Sequence, residues 1–380
     1  MLKRIISAVV ISAILAGFPV FSKGLEQSDL SAKAAVLYYP EGNIVLFEKN
    51  QDMQLSMAST TKIMTSLIAL EENTPLREIT VTHEMVNVEG TSSGLKTEDV
   101  ITLENLVKCM MLESGNDAAN AVAITLGGSF DDFAVMMNNR AEEIGMKNTS
   151  FVTPSGLDHE NHYTTAYDMA LLSAKAIENK QFAAVSAMAS DTISFVNSDK
   201  TVTLYNHNRL INSYDGCFGI KTGFTKKSGR CLVSAATRDG VTLIAVTLNA
   251  GDDWNDHEKM LDYGFSVVTS SAADTDFSSF CVRVAGGEKD TVIPVADSTN
   301  LNMINENTDR VYRKVYLNKI LFAPVEKGTV IGYAQYFSGD RMIKEIPLTA
   351  SESIDAKSGE IEQNIFHRLK SLFDSWWKNG

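Results

Sequence analysis

The spacing of apolar positions changes along the chain, and each change predicts a different kind of structure. Residues 34–47 read as a hairpin: an apolar run, the turn Pro40-Glu41-Gly42-Asn43, then Ile44-Val45-Leu46-Phe47. From about residue 59 to 188 the pattern is helical, broken by loops. Met57, Met64, Leu67 and Ile68 fall near one face of a helical run that ends in Glu71-Glu72-Asn73. Thr102 reads as the N-cap of a helix reaching Glu113. Residues 117–126 resume as helix and stop at Gly127-Gly128. Residues 230–237 and 241–248 read as strands joined by Asp239-Gly240, a strong hairpin signal, and residues 254–268 as a further helix. The early hairpin and the later strands can pair into one antiparallel sheet covered by helices. The predicted fold class is therefore α+β, over about residues 30–269.

Past residue 270 the character changes. A polar stretch, 270–276, reads as a linker. Runs of strand formers at 281–284, 291–295, 311–316 and 329–334 then predict a small β-sandwich over about 276–350. Residues 351–360 read as a second linker. In residues 361–380, Ile361, Ile365, Leu369, Leu372 and Trp376 recur every three or four positions, with Phe366, Phe373 and Trp377 beside them. Aromatic residues on that face, with Arg368, Lys370 and Lys378 nearby, suit a helix lying in the plane of a membrane surface. At the other end, Lys3 and Arg4 precede the short apolar run 5–18, so residues 1–23 read as an export signal, too short for a confident span.

Composition narrows the function. A chain of 380 residues with 44% hydrophobic and 21% charged positions suits a two-domain globular protein, and a net charge of −13 argues against nucleic acid as a partner. Four cysteines in an exported chain invite a disulfide reading. Yet a turn at residues 225–228 would put Cys231 across from about Thr222, with Cys217 out of reach. Neither the cysteines nor His159 and His162 have the spacing of a metal site, so no metal or cofactor is expected.

The candidate chemistry lies in three short patterns in fixed order: Ser59-x-x-Lys62, Ser114-Gly115-Asn116 and Lys221-Thr222-Gly223. Ser-x-x-Lys recurs at Ser93–Lys96 and Ser375–Lys378, and roughly one chance hit is expected in a chain of this length. Only the Ser59 copy begins an apolar helical run. There Ser59 and Lys62 share a face. A serine hydroxyl needs a base within hydrogen-bond reach, and a lysine serves only if burial or a nearby positive charge lowers its pKa. Ser114-Gly115-Asn116 interrupts two apolar helices and can aim side chains into a cleft. Lys221-Thr222-Gly223 sits in a glycine-rich run of strand formers, as an edge strand would if a substrate backbone lay beside it.

These motifs, with the blocks 151–158, 162–169, 205–210 and 215–225, resemble a serine-type D-alanyl-D-alanine carboxypeptidase, a low-molecular-mass penicillin-binding protein of the kind found in Gram-positive spore-formers. The resemblance implies the penicillin-binding/β-lactamase-like fold, peptidoglycan stem peptides as substrate, β-lactam antibiotics as covalent inhibitors, and, with the terminal segments, an extracytoplasmic enzyme on the outer face of the cytoplasmic membrane. It implies Ser59 as nucleophile and Lys62 as base. Ser114 and Asn116 would bond the Lys62 amine and the substrate amide. Lys221 would keep Lys62 neutral, Thr222 would meet the terminal carboxylate, and the N–H groups of Ser59 and Phe224, after Gly223, would form the oxyanion hole. Several relatives grip that carboxylate with an arginine after the following strand. Here residues 249–254 hold no basic residue, while Arg230 and Arg238 lie on the next strand. Two alternatives stay open: a class A-type β-lactamase, for which Glu160 is the nearest water-positioning candidate, and a non-hydrolytic penicillin-binding sensor or scaffold.

Overall fold

A computed structural model describes residues 24–304 and 311–357. The expected export signal and the amphipathic tail from residue 361 lie outside them. The main sheet has five antiparallel strands, β1 (Ala34–Tyr39), β2 (Ile44–Lys49), β3 (Cys217–Thr225), β4 (Gly229–Arg238) and β5 (Val241–Ala250), in the order β2-β1-β5-β4-β3. Strand β3 is therefore an edge. All six residues of β1 are buried because the sheet is covered on both sides. Val36, Val233 and Val246 join the core under the helices, whereas Leu37, Leu232 and Leu243 pack with Met260 and Leu261 of the helix Asp253–Val267.

Asp239 and Gly240 both take positive φ, as the tight β4–β5 hairpin requires. The β3–β4 turn is one residue shorter than expected. Thr225 pairs with Gly229, so the register moves by one and Cys231 faces Gly223 rather than Thr222. Cys217 faces Ala236, and all four cysteines are free.

Helix α1 (Lys62–Glu71) starts later than its apolar pattern. A 3₁₀ turn, Ala58–Thr61, precedes it, and Ala58 takes φ +47°. Every residue from Lys62 to Leu70 is buried, so α1 is a central helix and not a one-faced one. Thr102 caps its helix as expected: its Oγ accepts from Asn105 N at 3.3 Å. That helix ends in a π turn, Cys109–Glu113, and α2 (Asn116–Gly127) follows, closed by Gly128 at φ +80°.

The C-terminal part is β-rich, with one correction. Residues 270–276 were expected to be a linker, but 270–272 belong to the strand Val268–Ala272, paired with Asn300–Ile304. Backbone pairing, not side-chain hydrophobicity, holds this serine-rich run. A four-stranded sheet (Pro294–Val295, Arg341–Ala350, Val330–Ser338, Val311–Leu317) lies beside a three-stranded one. The polar stretch after 350 also folds back: Ile354 is buried and bridges to Val325.

Candidate active site

Four segments converge on Ser59. The first is the turn that carries it. Ala58, in a left-handed conformation, turns the chain so that Lys62 enters α1 beside the serine hydroxyl, with Nζ 2.9 Å from Ser59 Oγ. Thr61 and His162 brace this turn. His162 Nδ1 accepts from Val152 N at 3.0 Å, so its other nitrogen carries the hydrogen toward Thr61 Oγ1, 2.8 Å away. The Thr61 hydroxyl in turn donates to Ala58 O at 2.8 Å. Burial lowers the His162 pKa to about 4, which keeps this tautomer neutral.

The second segment is the loop 151–158. Ser155 O accepts from Lys62 Nζ at 2.8 Å, and Pro154 O accepts from Thr65 Oγ1 at 2.6 Å. Gly156, at φ +88°, makes the approach possible, because a Cβ there would lie 1.9 Å from Ala58 O.

The third is Ser114-Gly115-Asn116. Ser114 takes φ +63°, and a Cβ on Gly115 would collide with Ser93 Oγ at 2.0 Å. Asn116 Nδ2 donates to Glu89 O at 2.6 Å, which fixes the amide so that Oδ1 faces Lys62 Nζ at 2.7 Å. Asp117 ties the loop 89–95 to this turn, accepting from Ser92 Oγ, Ser93 N and Leu95 N.

Strand β3 is the fourth. Gly223 lets it lie against the Ser59 turn: a Cβ there would be 3.0 Å from Met57 O and 3.1 Å from Ser59 N. Lys221 is fully buried, with Nζ donating to Thr222 O at 3.1 Å.

The three contacts of Lys62 Nζ fit an ammonium that donates to all of them, and they also fit a neutral amine. In the neutral form Asn116 Oδ1 and Ser155 O, which can only accept, take the two hydrogens and the lone pair faces Ser59 Oγ. The electrostatics select the neutral form. Burial first, and the charge of Lys221 second, hold Lys62 well below the ordinary lysine range, against an opposing pull from Asp117. Burial also lowers Lys221, to about 7, with Glu113 opposing.

A cleft of about 470 Å³ opens in front, lined by Ser59, Ser114, Thr222, Gly223 and Phe224 together with Arg230. Lys62, Asn116 and Lys221 stand behind it. A larger cavity of about 820 Å³, lined by residues such as Tyr38, Arg140 and Phe218, holds none of the motif residues. Three expectations need correction. The third partner of the Lys62 amine is the Ser155 carbonyl, whereas Ser114 lines the cleft. Glu160 is exposed and does not line the cleft. Arg238 lies at the far end of β4, bonded to Asp215 O at 3.0 Å. Sequence reasoning missed Ser155, Asp117 and the bracing by His162. The glycine in Pro154-Ser155-Gly156 was the available signal. Among the described residues, no group of three His, Cys, Asp or Glu side chains is placed to hold a metal.

The family described as D-alanyl-D-alanine carboxypeptidase matches residues 22–252, and the C-terminal domain of penicillin-binding protein 5 matches residues 272–356. The chain is 30% identical to D-alanyl-D-alanine carboxypeptidase DacF of Bacillus subtilis over 99% of this chain and 100% of the relative. It is also 30% identical to DacC of Escherichia coli, over 93% and 92%. Among solved structures, penicillin-binding protein 5 of Haemophilus influenzae superposes with a TM-score of 0.64 at 26% identity, covering 87% of this chain and all of that one.

Proposed function

The chain belongs to the D-alanyl-D-alanine carboxypeptidase family, and on that premise we propose that Ser59 is the residue acylated when the terminal D-alanine is removed from a peptidoglycan stem peptide. Family members are serine peptidases of the cell wall that bind penicillin. The observation that carries the residue roles is the Lys62 amine, stripped of its hydrogens' freedom by two carbonyls and facing Ser59 Oγ at 2.9 Å.

The substrate lies along the free edge of β3 as an added strand. Ser59 Oγ attacks the carbonyl carbon between the last two residues, and its proton passes to Lys62 Nζ. The oxyanion is met by the N–H groups of Ser59 and Phe224, where losing one donor typically costs about 100–1000-fold in rate. As the C–N bond breaks, the departing amine takes the proton, relayed through the Ser114 hydroxyl. Water then attacks the ester, giving its proton to Lys62, which passes it to Ser59 Oγ as the ester C–O bond breaks. Lys221 holds the positive field, and Thr222 meets the carboxylate. A β-lactam presents its ring carbonyl to the same serine and inhibits by acylating it. The exposed position of Glu160 counts against the β-lactamase reading.

The test pairs two measurements: peptide mapping of the labelled penicillin adduct, and release of D-alanine from a peptide ending in D-Ala-D-Ala. A label on a serine other than Ser59 overturns the assignment. Acylation without D-alanine release indicates a sensor or scaffold.

The family acts on peptidoglycan, outside the cytoplasm. Residues 1–23 as export signal and 361–380 as an in-plane anchor extend this to the outer face of the membrane. The charge and apolar spacing of those segments support the extension. Among the described residues no helix is long and apolar enough to cross a membrane. Liposome flotation of the chain with and without residues 361–380 checks the anchor, and equal flotation of both forms refutes it.

A further inference from the structure

A substrate that loses its last residue presents a carboxylate one residue beyond the bond that breaks. A cleft that selects chain ends therefore needs a fixed cation on the leaving-group side. Among the residues lining this cleft, Arg230 is the one that carries a guanidinium. Burial, then Lys221, lower the pKa of His207, and Lys221 itself is buried behind the wall.

Arg230 pairs with Phe224 across the β3–β4 ladder. It thus lies on the same sheet face as Thr222, two positions before Phe224. Its guanidinium is held rather than free. Nε donates to Asp253 Oδ1 at 2.8 Å, an Nη lies 2.7 Å from the same oxygen, and the Trp254 ring centre is 5.6 Å away. The Asp253 side chain is 4% exposed and that of Arg230 is 44% exposed. Asp253 therefore takes one edge of the planar fork and fixes its orientation. Of the five N–H donors, three remain for a second carboxylate. Arg209 stacks on the same Trp254 ring at 4.9 Å, so the ring is held between two guanidiniums.

We propose that Arg230, positioned by Asp253 and Trp254, binds the terminal carboxylate of the substrate beside the Thr222 hydroxyl, and so makes the enzyme select chain ends. This rests on the assignment of Ser59 as nucleophile in this cleft.

The test compares a peptide ending in D-Ala-D-Ala carboxylate with the same peptide ending in the carboxamide, using the full-length protein, Arg230→Ala and Arg230→Lys. The unaltered enzyme prefers the acid. A charge-assisted pair of this kind is worth roughly 10–100-fold, so Arg230→Ala should lose about that factor in kcat/KM on the acid. On the amide it should lose little, and so the preference for acid collapses. Arg230→Lys, which keeps the charge without the fork and spares Asp253 an unpaired burial, should lose less, again on the acid alone. Penicillin and its methyl ester repeat the comparison in acylation rate. Equal losses on acid and amide, or no loss on either, overturn the role of Arg230 while Ser59 stays labelled. If no variant, nor the unaltered chain, is labelled at Ser59, the underlying assignment falls as well.

Discussion

The sharpest test of the neutral-lysine geometry is Asn116→Asp. The side chains are nearly isosteric, so the change places a carboxylate oxygen where Oδ1 now accepts from Lys62 Nζ at 2.7 Å. At an effective dielectric near 20, a unit negative charge at that distance favours the protonated amine by about 6 kcal/mol. Relaxation and partial protonation of the new carboxyl reduce this. Yet a third of it, about 2 kcal/mol, already shifts the ratio of free base to ammonium about 30-fold. The base that accepts the Ser59 proton is then lost over a pH range where it is now available. The new carboxylate also faces Glu89 O, where the Asn116 amide nitrogen now donates at 2.6 Å, at a cost of about 1–3 kcal/mol in stability. Stopped-flow acylation by a fluorescent penicillin, followed against pH, reads the effect. On the acid limb acylation should fall at least 30-fold at a given pH, because the limb moves to higher pH by about 1.5 units or more. A folded variant with acylation within threefold of the unaltered enzyme and an unmoved limb would refute the argument that burial and a nearby cation hold Lys62 neutral.

Other expectations follow from the same geometry. Lys221 has a native pKa of about 7 against an ordinary 10.5, so between those values the unfolded chain binds a proton that the native chain lacks, and stability rises with pH. Lys221→Met should therefore raise the thermal midpoint at pH 7, flatten its rise toward pH 10 and slow acylation; a lower midpoint contradicts this. His257, buried with its ring nitrogen 3.0 Å from Thr247 Oγ1, is lowered to about 3, and stability should fall as pH drops from 6.5 toward that value. His257→Gln should shrink this slope in urea midpoints, and an unchanged slope would place the acid sensitivity elsewhere. Gly156→Ala should cost about 1–3 kcal/mol from its backbone conformation and, by pushing the Ala58 carbonyl, slow acylation as well. Gly145→Ala, at φ +92° with open space around it, should show the first effect without the second, and if both variants acylate alike the Ala58 contact is unimportant.

The side-chain groups of the site were legible in the sequence and the main-chain groups were not. Ser59, Lys62, Asn116 and Lys221 announce themselves because their side chains are the chemistry. Ser155 O, Pro154 O and Ala58 O contribute through the main chain, which any residue supplies, so only the glycine that permits their approach leaves a trace. Elsewhere the same contrast holds. The β4–β5 hairpin was legible because Asp239-Gly240 is a side-chain requirement of the turn. The strand Arg341–Ala350 was not, since Lys344, Glu345 and Pro347 break its apolar run while backbone pairing to Val330–Ser338 carries it. Arg230 was visible as a residue on a strand, but its orientation depends on Asp253 and Trp254, more than twenty positions later.

Two copies of one motif show what spacing alone cannot supply. Ser93 and Lys96 stand at the same separation as Ser59 and Lys62. Lys96 is exposed to solvent. Ser93 lies in the loop 89–95, where its N–H serves Asp117 at 2.9 Å and thereby helps to fix Asn116 against the other lysine. At Ser59 the lysine is fully buried, its two hydrogens go to carbonyls, and a second buried lysine stands in the next strand. The desolvation of one ammonium is thus the property that separates a nucleophile from a loop serine. It is imposed by the loop 151–158, α2 and β3, none of which belongs to the four-residue motif.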